Sequence, residues 1–113
     1  MWDFTIVAER SIIVKRTGEE KFQEESLFDY VTKPSDIELD EMLKTENPVE
    51  AYVEWLFKLS EGKEYQEPIY DDIWEDGKPV GYRTVNPYKD YAEMVKRKVD
   101  SYVEDGWDVR LVY

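Results

Sequence analysis

Apolar and polar positions along this chain change period several times, and each change marks an element. Trp2, Phe4 and Ile6 alternate with Asp3, Thr5 and Val7, the two-residue period of a strand with one buried face. Ile12, Ile13 and Val14 offer a second β-branched run, and Thr17-Gly18 marks the turn after it. Lys21-Phe22-Gln23 and the Leu27-Phe28 region then read as a third, more acidic strand.

The period next lengthens to that of a helix. Ser35 and Glu38 form an S-x-x-E capping box directly after Pro34, which predicts a short helix ending near Leu43. Asn47-Pro48-Val49-Glu50 opens another helix. Asn47 can accept a bond from a free backbone N–H, Pro48 suits the first helical position, and Glu50 complements the dipole. Val49, Tyr52, Val53, Leu56 and Leu59 share one face, Glu50, Glu54 and Lys58 the other, and Gly62 suits the position past the end.

Asp76-Gly77 is a strong turn dipeptide, and it predicts a hairpin. Ile69, Ile73 and Trp74 lie on one side of it and Val80, Tyr82, Thr84 and Val85 on the other. Pro79 fits a strand start or edge. Asn86-Pro87 repeats the helix-opening device, and Tyr88, Tyr91, Ala92, Val95, Val99, Tyr102 and Val103 trace a helical stripe as far as Gly106. The chain then alternates once more, with Trp107, Val109, Leu111 and Tyr113 on the face expected to be buried. This order predicts one compact α+β domain over residues 1–113, a mainly antiparallel sheet with two or three helices packed on one face.

Composition sharpens the picture. Hydrophobic residues make up 42% of the 113, enough for a core, and seventeen aromatics (4 Trp, 9 Tyr, 4 Phe) set the chain apart from a disordered acidic tail. The net charge is -12 and the pI about 4.4, which argues against nucleic acid or an anionic membrane as the direct ligand. Residues 19–76 carry 19 acids and 5 bases, a net of -14, whereas residues 1–18 and 77–113 are each net +1. The absence of Cys and His excludes disulfides, thiolate or imidazole metal sites and every Cys- or His-based catalytic dyad. Apolar runs no longer than three residues, such as Trp55-Leu56-Phe57, lead us to expect neither a signal peptide nor a spanning helix, and a soluble cytoplasmic protein.

Each candidate for chemistry in the chain also has a plainer role. Asp71, Asp72, Glu75 and Asp76 form the densest acidic cluster. An EF-hand frame begun at Asp72 fails, placing Trp74 at a ligand position and Arg83 where the final Glu belongs, so a solvated hairpin tip is the simpler reading. Lys96-Arg97-Lys98 point about 100° apart on a helix and make no single basic patch. Neither dinucleotide nor P-loop fingerprint occurs, and no metal, cofactor or catalytic residue is expected.

The segment from Glu61 to Asp76 is the favoured contact surface. Glu61, Glu64, Glu67, Asp71, Asp72, Glu75 and Asp76 would steer a basic partner, and Tyr70 and Trp74 would anchor it. Tyr65 in this stretch and Tyr82 just beyond it are aromatics set among the same carboxylates; the alternative is a hairpin with one packed and one wet face. Glu50 and Glu54 are weaker candidates. In type, the chain resembles virus-encoded blockers of host restriction or CRISPR systems, DNA mimics among them, and small immunity proteins or antitoxins that cap nucleases. No family motif is matched, so no functional residue carries over. The expected function is therefore a non-catalytic acidic inhibitor that docks on a basic, nucleic-acid-handling protein. The alternatives are a small enzyme working without His or Cys, and a homodimeric housekeeping or scaffold domain joined by its terminal strands.

Overall fold

The alternating N-terminal residues form one long strand, β1 (Thr5–Ile13), rather than the two runs the sequence suggests. In this computed structural model, which describes residues 4–28, 31–70 and 77–113, β1 pairs antiparallel from Val7 to Ile13 with β2 (Glu20–Ser26). The partner strand carries the β conformation through Glu9, Arg10 and Ser11, where the local apolar pattern lapses. Gly18, at φ +74°, supplies the left-handed turn between the two strands. On its other side β1 pairs antiparallel with the C-terminal strand β5 (Asp108–Val112), so the sheet order is β2-β1-β5.

Three helices follow their caps closely. The first, α1 (Asp36–Leu43), starts at Ser35: the Ser35 hydroxyl accepts from the Glu38 N–H at 3.2 Å, and the Glu38 carboxylate accepts from the Ser35 N–H at 3.2 Å. Helix α2 (Pro48–Ser60) begins at Asn47, whose side chain accepts from the Glu50 N–H, and Gly62 at φ +73° redirects the chain after it. Helix α3 (Pro87–Glu104) begins at Asn86 in the same way, accepting from the Lys89 N–H.

The core lies between one face of the sheet and helices α2 and α3, with α1 added against α2. Phe4, Ile6, Ala8 and Leu111 meet Tyr52, Val53 and Leu56 of α2 and Ala92, Val95 and Val99 of α3. Each of the larger aliphatic side chains in this layer contributes about 1.5–3 kcal/mol of hydrophobic stabilisation. Tyr52 sits at the centre: its ring lies 5.0 Å from that of Phe4, and its hydroxyl donates to the Thr32 carbonyl at 2.6 Å. The stripes overrun this core at their ends. Tyr88, Val103 and Tyr113, expected inside, are exposed.

The opposite face of the sheet is polar. Arg110 of β5 bonds the Glu9 carboxylate of β1 and reaches Glu24 of β2 at 3.8 Å, lacing the three strands together. Val7, directly across from Arg110, is buried beneath this network.

The remaining strands, β3 (Tyr65–Ile69) and β4 (Gly81–Val85), form a separate antiparallel ribbon. The result is a single α+β domain whose described residues form three helices and five strands in two antiparallel sheets. Its radius of gyration of 19.9 Å exceeds the roughly 13 Å of a sphere-like chain of this length, and its longest dimension is 69 Å. No described helix is long and apolar enough to cross a membrane.

Candidate functional site

The β3–β4 ribbon is an arm inserted between two buried helix ends. Ser60 closes α2 and Asn86 opens α3, and the Asn86 side-chain amide donates to the Ser60 carbonyl at 2.8 Å. The described residues between Glu61 and Val85 are thus looped out from one fixed point. Among the described residues, none in that stretch belongs to the hydrophobic core.

Within the arm, cross-strand pairs do the holding. Gln66 donates to the Thr84 hydroxyl at 2.9 Å, and Arg83 donates from Nε to Glu67 Oε2 at 2.6 Å with its terminal nitrogen at 2.5 Å. The register sets Tyr65 opposite Val85, Glu67 opposite Arg83, and Pro68 opposite Tyr82. Between the two strands lies the expected Asp76-Gly77 turn, whose Asp76 falls outside the described residues; Gly77 takes a positive φ of +65°.

Among the described residues, both faces of this ribbon carry exposed apolar side chains. Tyr65, Ile69, Tyr70, Val80 and Tyr82 are between 41% and 63% exposed. Tyr65 and Ile69 lie on one face and Tyr82 on the other, so among the described residues the alternative of one packed and one wet face is not met. An isolated two-stranded ribbon is marginal in water, and one that shows apolar side chains on both faces suits a surface built for contact.

The structure brings some of the sequence-predicted contact residues together. Glu61 and Glu64 lie exposed at the base of the arm, Glu67 lies midway along β3, and Tyr70 follows the strand. Asp71, Asp72, Trp74, Glu75 and Asp76 lie outside the described residues. Glu67 is already engaged by Arg83, which reduces its part in steering a partner. Ile69 and Val80 are additions. Their β pattern was readable in the sequence, but their exposure was not, because a packed hairpin alternates in the same way.

Other chemistry-bearing residues serve the fold. Glu38 is held below the usual carboxylate range first by the Ser35 hydroxyl and then by the Trp55 indole N–H, which donates to its second oxygen. Lys96 is raised by its bond to Asp100, 2.7 Å away, and the Lys98 ammonium stands 5.1 Å from the centre of the Phe28 ring. The Lys96-Arg97-Lys98 triplet is therefore spent partly on local contacts. Among the described residues, no group of three carboxylates converges as a metal site would require.

One groove of about 410 Å³ runs between the start of α2 and the end of α3. Val49, Val53, Phe57, Val99, Val103 and Val109 line it, with Glu50, Glu54, Lys96 and Asp100 also at its walls. It offers an apolar trough with charged side chains and no convergent nucleophile. Comparison of the chain with models of protein families, with curated proteins and with solved structures returned no match.

Proposed function

We propose that this chain is a non-catalytic binding protein that docks its β3–β4 arm onto a basic, nucleic-acid-handling partner and blocks it. The observation that carries this reading is the arm itself, a ribbon with exposed apolar side chains on both faces and Glu61 and Glu64 at its base. Rings at the centre of a contact supply affinity once water is excluded, and surrounding carboxylates raise the encounter rate with a positive surface. The concentration of charge supports the kind of partner. A net of -14 over residues 19–76 offers a carboxylate array that a phosphate-binding channel would accept in place of nucleic acid.

The test is capture from the source or host lysate with a salt gradient, run in parallel on three tagged proteins. Wild type should retain a basic nucleic-acid-handling protein that elutes at moderate salt. Replacing Glu61, Glu64, Asp71, Asp72, Glu75 and Asp76 by their amides should shift elution to lower salt, and Tyr70→Ala with Tyr82→Ala should abolish retention. Equal retention of one partner by all three folded proteins would refute the arm as the contact.

A further inference from the structure

Strand β5 closes one side of the β2-β1-β5 sheet, and among the described residues no strand pairs with its outer edge. Such an edge presents unpaired N–H and C=O groups, a template for another strand. The opposite edge, β2, carries Glu20, Glu24 and Glu25 in seven residues and would bring acids against an incoming acidic chain. β5 and the residue before it are different: Trp107-Asp108-Val109-Arg110-Leu111 is balanced in charge and symmetric about its central valine.

We infer that β5 pairs antiparallel with β5 of a second copy of this chain, centred on Val109, to form a continuous six-stranded sheet. A two-fold axis at Val109 sets Asp108 of each copy opposite Arg110 of the other, and Trp107 opposite Leu111. Opposite residues in an antiparallel pair share a face, so both ion pairs fall on the polar face and both Trp–Leu contacts on the helix-covered face. Centring the pair on Arg110 would instead oppose two guanidinium groups. Register is therefore specified by charge complementarity within a five-residue segment.

The α2–α3 groove points to the same occupant. Val109 is the sole strand residue among its lining residues, so the groove opens on the β5 side of the helix layer. Val103, which lines it, is 55% exposed. Apolar side chains of a second β5 would extend the groove floor and cover that surface. The net charge of -12 opposes association at long range, but screening beyond about 8 Å at physiological salt leaves the balanced edge to decide at contact. This pairing does not depend on the arm, which stays free in the dimer.

Sedimentation equilibrium of the intact chain tests the inference. Wild type should approach twice its 13.6 kDa mass with rising concentration, and a monomer throughout would overturn the proposal. Asp108→Lys places like charges against Arg110 twice, and should weaken the dimer about tenfold or more. Its fold is protected, because position 108 stands opposite Glu9 within the chain. Arg110→Glu should be monomeric for the mirror reason. Mixed in equal amounts, the two variants should form a heterodimer, since one native Asp108–Arg110 pair is then kept and the other is restored with its sign reversed. If Arg110→Glu fails to fold for want of its Glu9 contact, Asp108→Lys alone decides the register: an unweakened dimer would overturn it.

Discussion

The side chain of Asn86 joins two helices at once: Oδ1 accepts from the Lys89 N–H at the start of α3, and Nδ2 donates to the Ser60 carbonyl at the end of α2. Asn86 is buried, so both bonds are shielded from water. The two residues bracket the arm, and their contact fixes where its strands leave the body. Ser60 is held in turn by its own hydroxyl, which donates to the Phe57 carbonyl at 2.5 Å.

The two Asn-Pro helix starts should therefore respond differently to the same substitution. Asn47→Asp retains a good N-cap acceptor at an exposed site, and should change stability by less than about 0.5 kcal/mol. Asn86→Asp keeps the cap but removes the donor and sets a carboxylate against the Ser60 carbonyl. It should cost about 1–3 kcal/mol. Urea midpoints for the two variants measure the difference, and equal midpoints would mean that the Ser60 contact contributes nothing.

Arm and core should separate cleanly when mutated. Tyr65→Ala and Tyr82→Ala remove exposed rings and should each alter unfolding free energy by less than about 0.5 kcal/mol. Val95→Ala, at a fully buried position of α3, should cost about 2 kcal/mol. If the arm tyrosines instead proved as costly as Val95, the ribbon would be packed in solution and its proposed role as a contact surface would be lost. Thermal melts in a common buffer suffice to decide this.

How far the sequence foretold these features depends on how local their causes are. Helix starts at Ser35, Asn47 and Asn86 were legible because a cap is made by residues three apart. The continuity of β1 was not, because Glu9 and Arg10 are held by distant partners: Arg110 for the first, and for the second Gln23 at 2.7 Å and the Trp107 ring at 4.2 Å. The terminal strands illustrate the same divide. Both were readable as β, yet only the pairing shows that β1 is central and β5 an edge. The acidic segment was visible in composition, whereas the bareness of both ribbon faces follows from where Ser60 and Asn86 place it.

Glu38 gives a prediction in acid. Its carboxyl is lowered from an ordinary value of 4.5, most strongly by Ser35 and next by Trp55. A lowered carboxyl stabilises the folded chain above its unfolded value, and that contribution disappears as pH falls through the folded value. Carbon-detected titration of Glu38 should show a midpoint below the ordinary one. Ser35→Ala should raise that midpoint more than Trp55→Phe does. A larger effect from Trp55→Phe would make the indole, and not the capping box, the main support of this carboxylate.

Tyr52 gives the corresponding prediction in base. Burial lifts its phenol far above the ordinary value of 10, with the neighbouring Tyr91 adding to the shift. Above pH 10 the unfolded chain releases this proton while the folded chain retains it, so stability contributed by the neutral phenol is lost as pH rises. The slope for one such group approaches about 1.4 kcal/mol per pH unit. Tyr52→Phe has no proton to lose, but it strands the Thr32 carbonyl that the hydroxyl now serves at 2.6 Å. The variant should be about 1–2 kcal/mol less stable near pH 8. Between pH 10 and 11 wild type should fall faster, and the two stability curves should converge. Parallel curves would show that Tyr52 ionises as readily in the fold as out of it, and that its hydroxyl is not the buried donor on which the centre of this core depends.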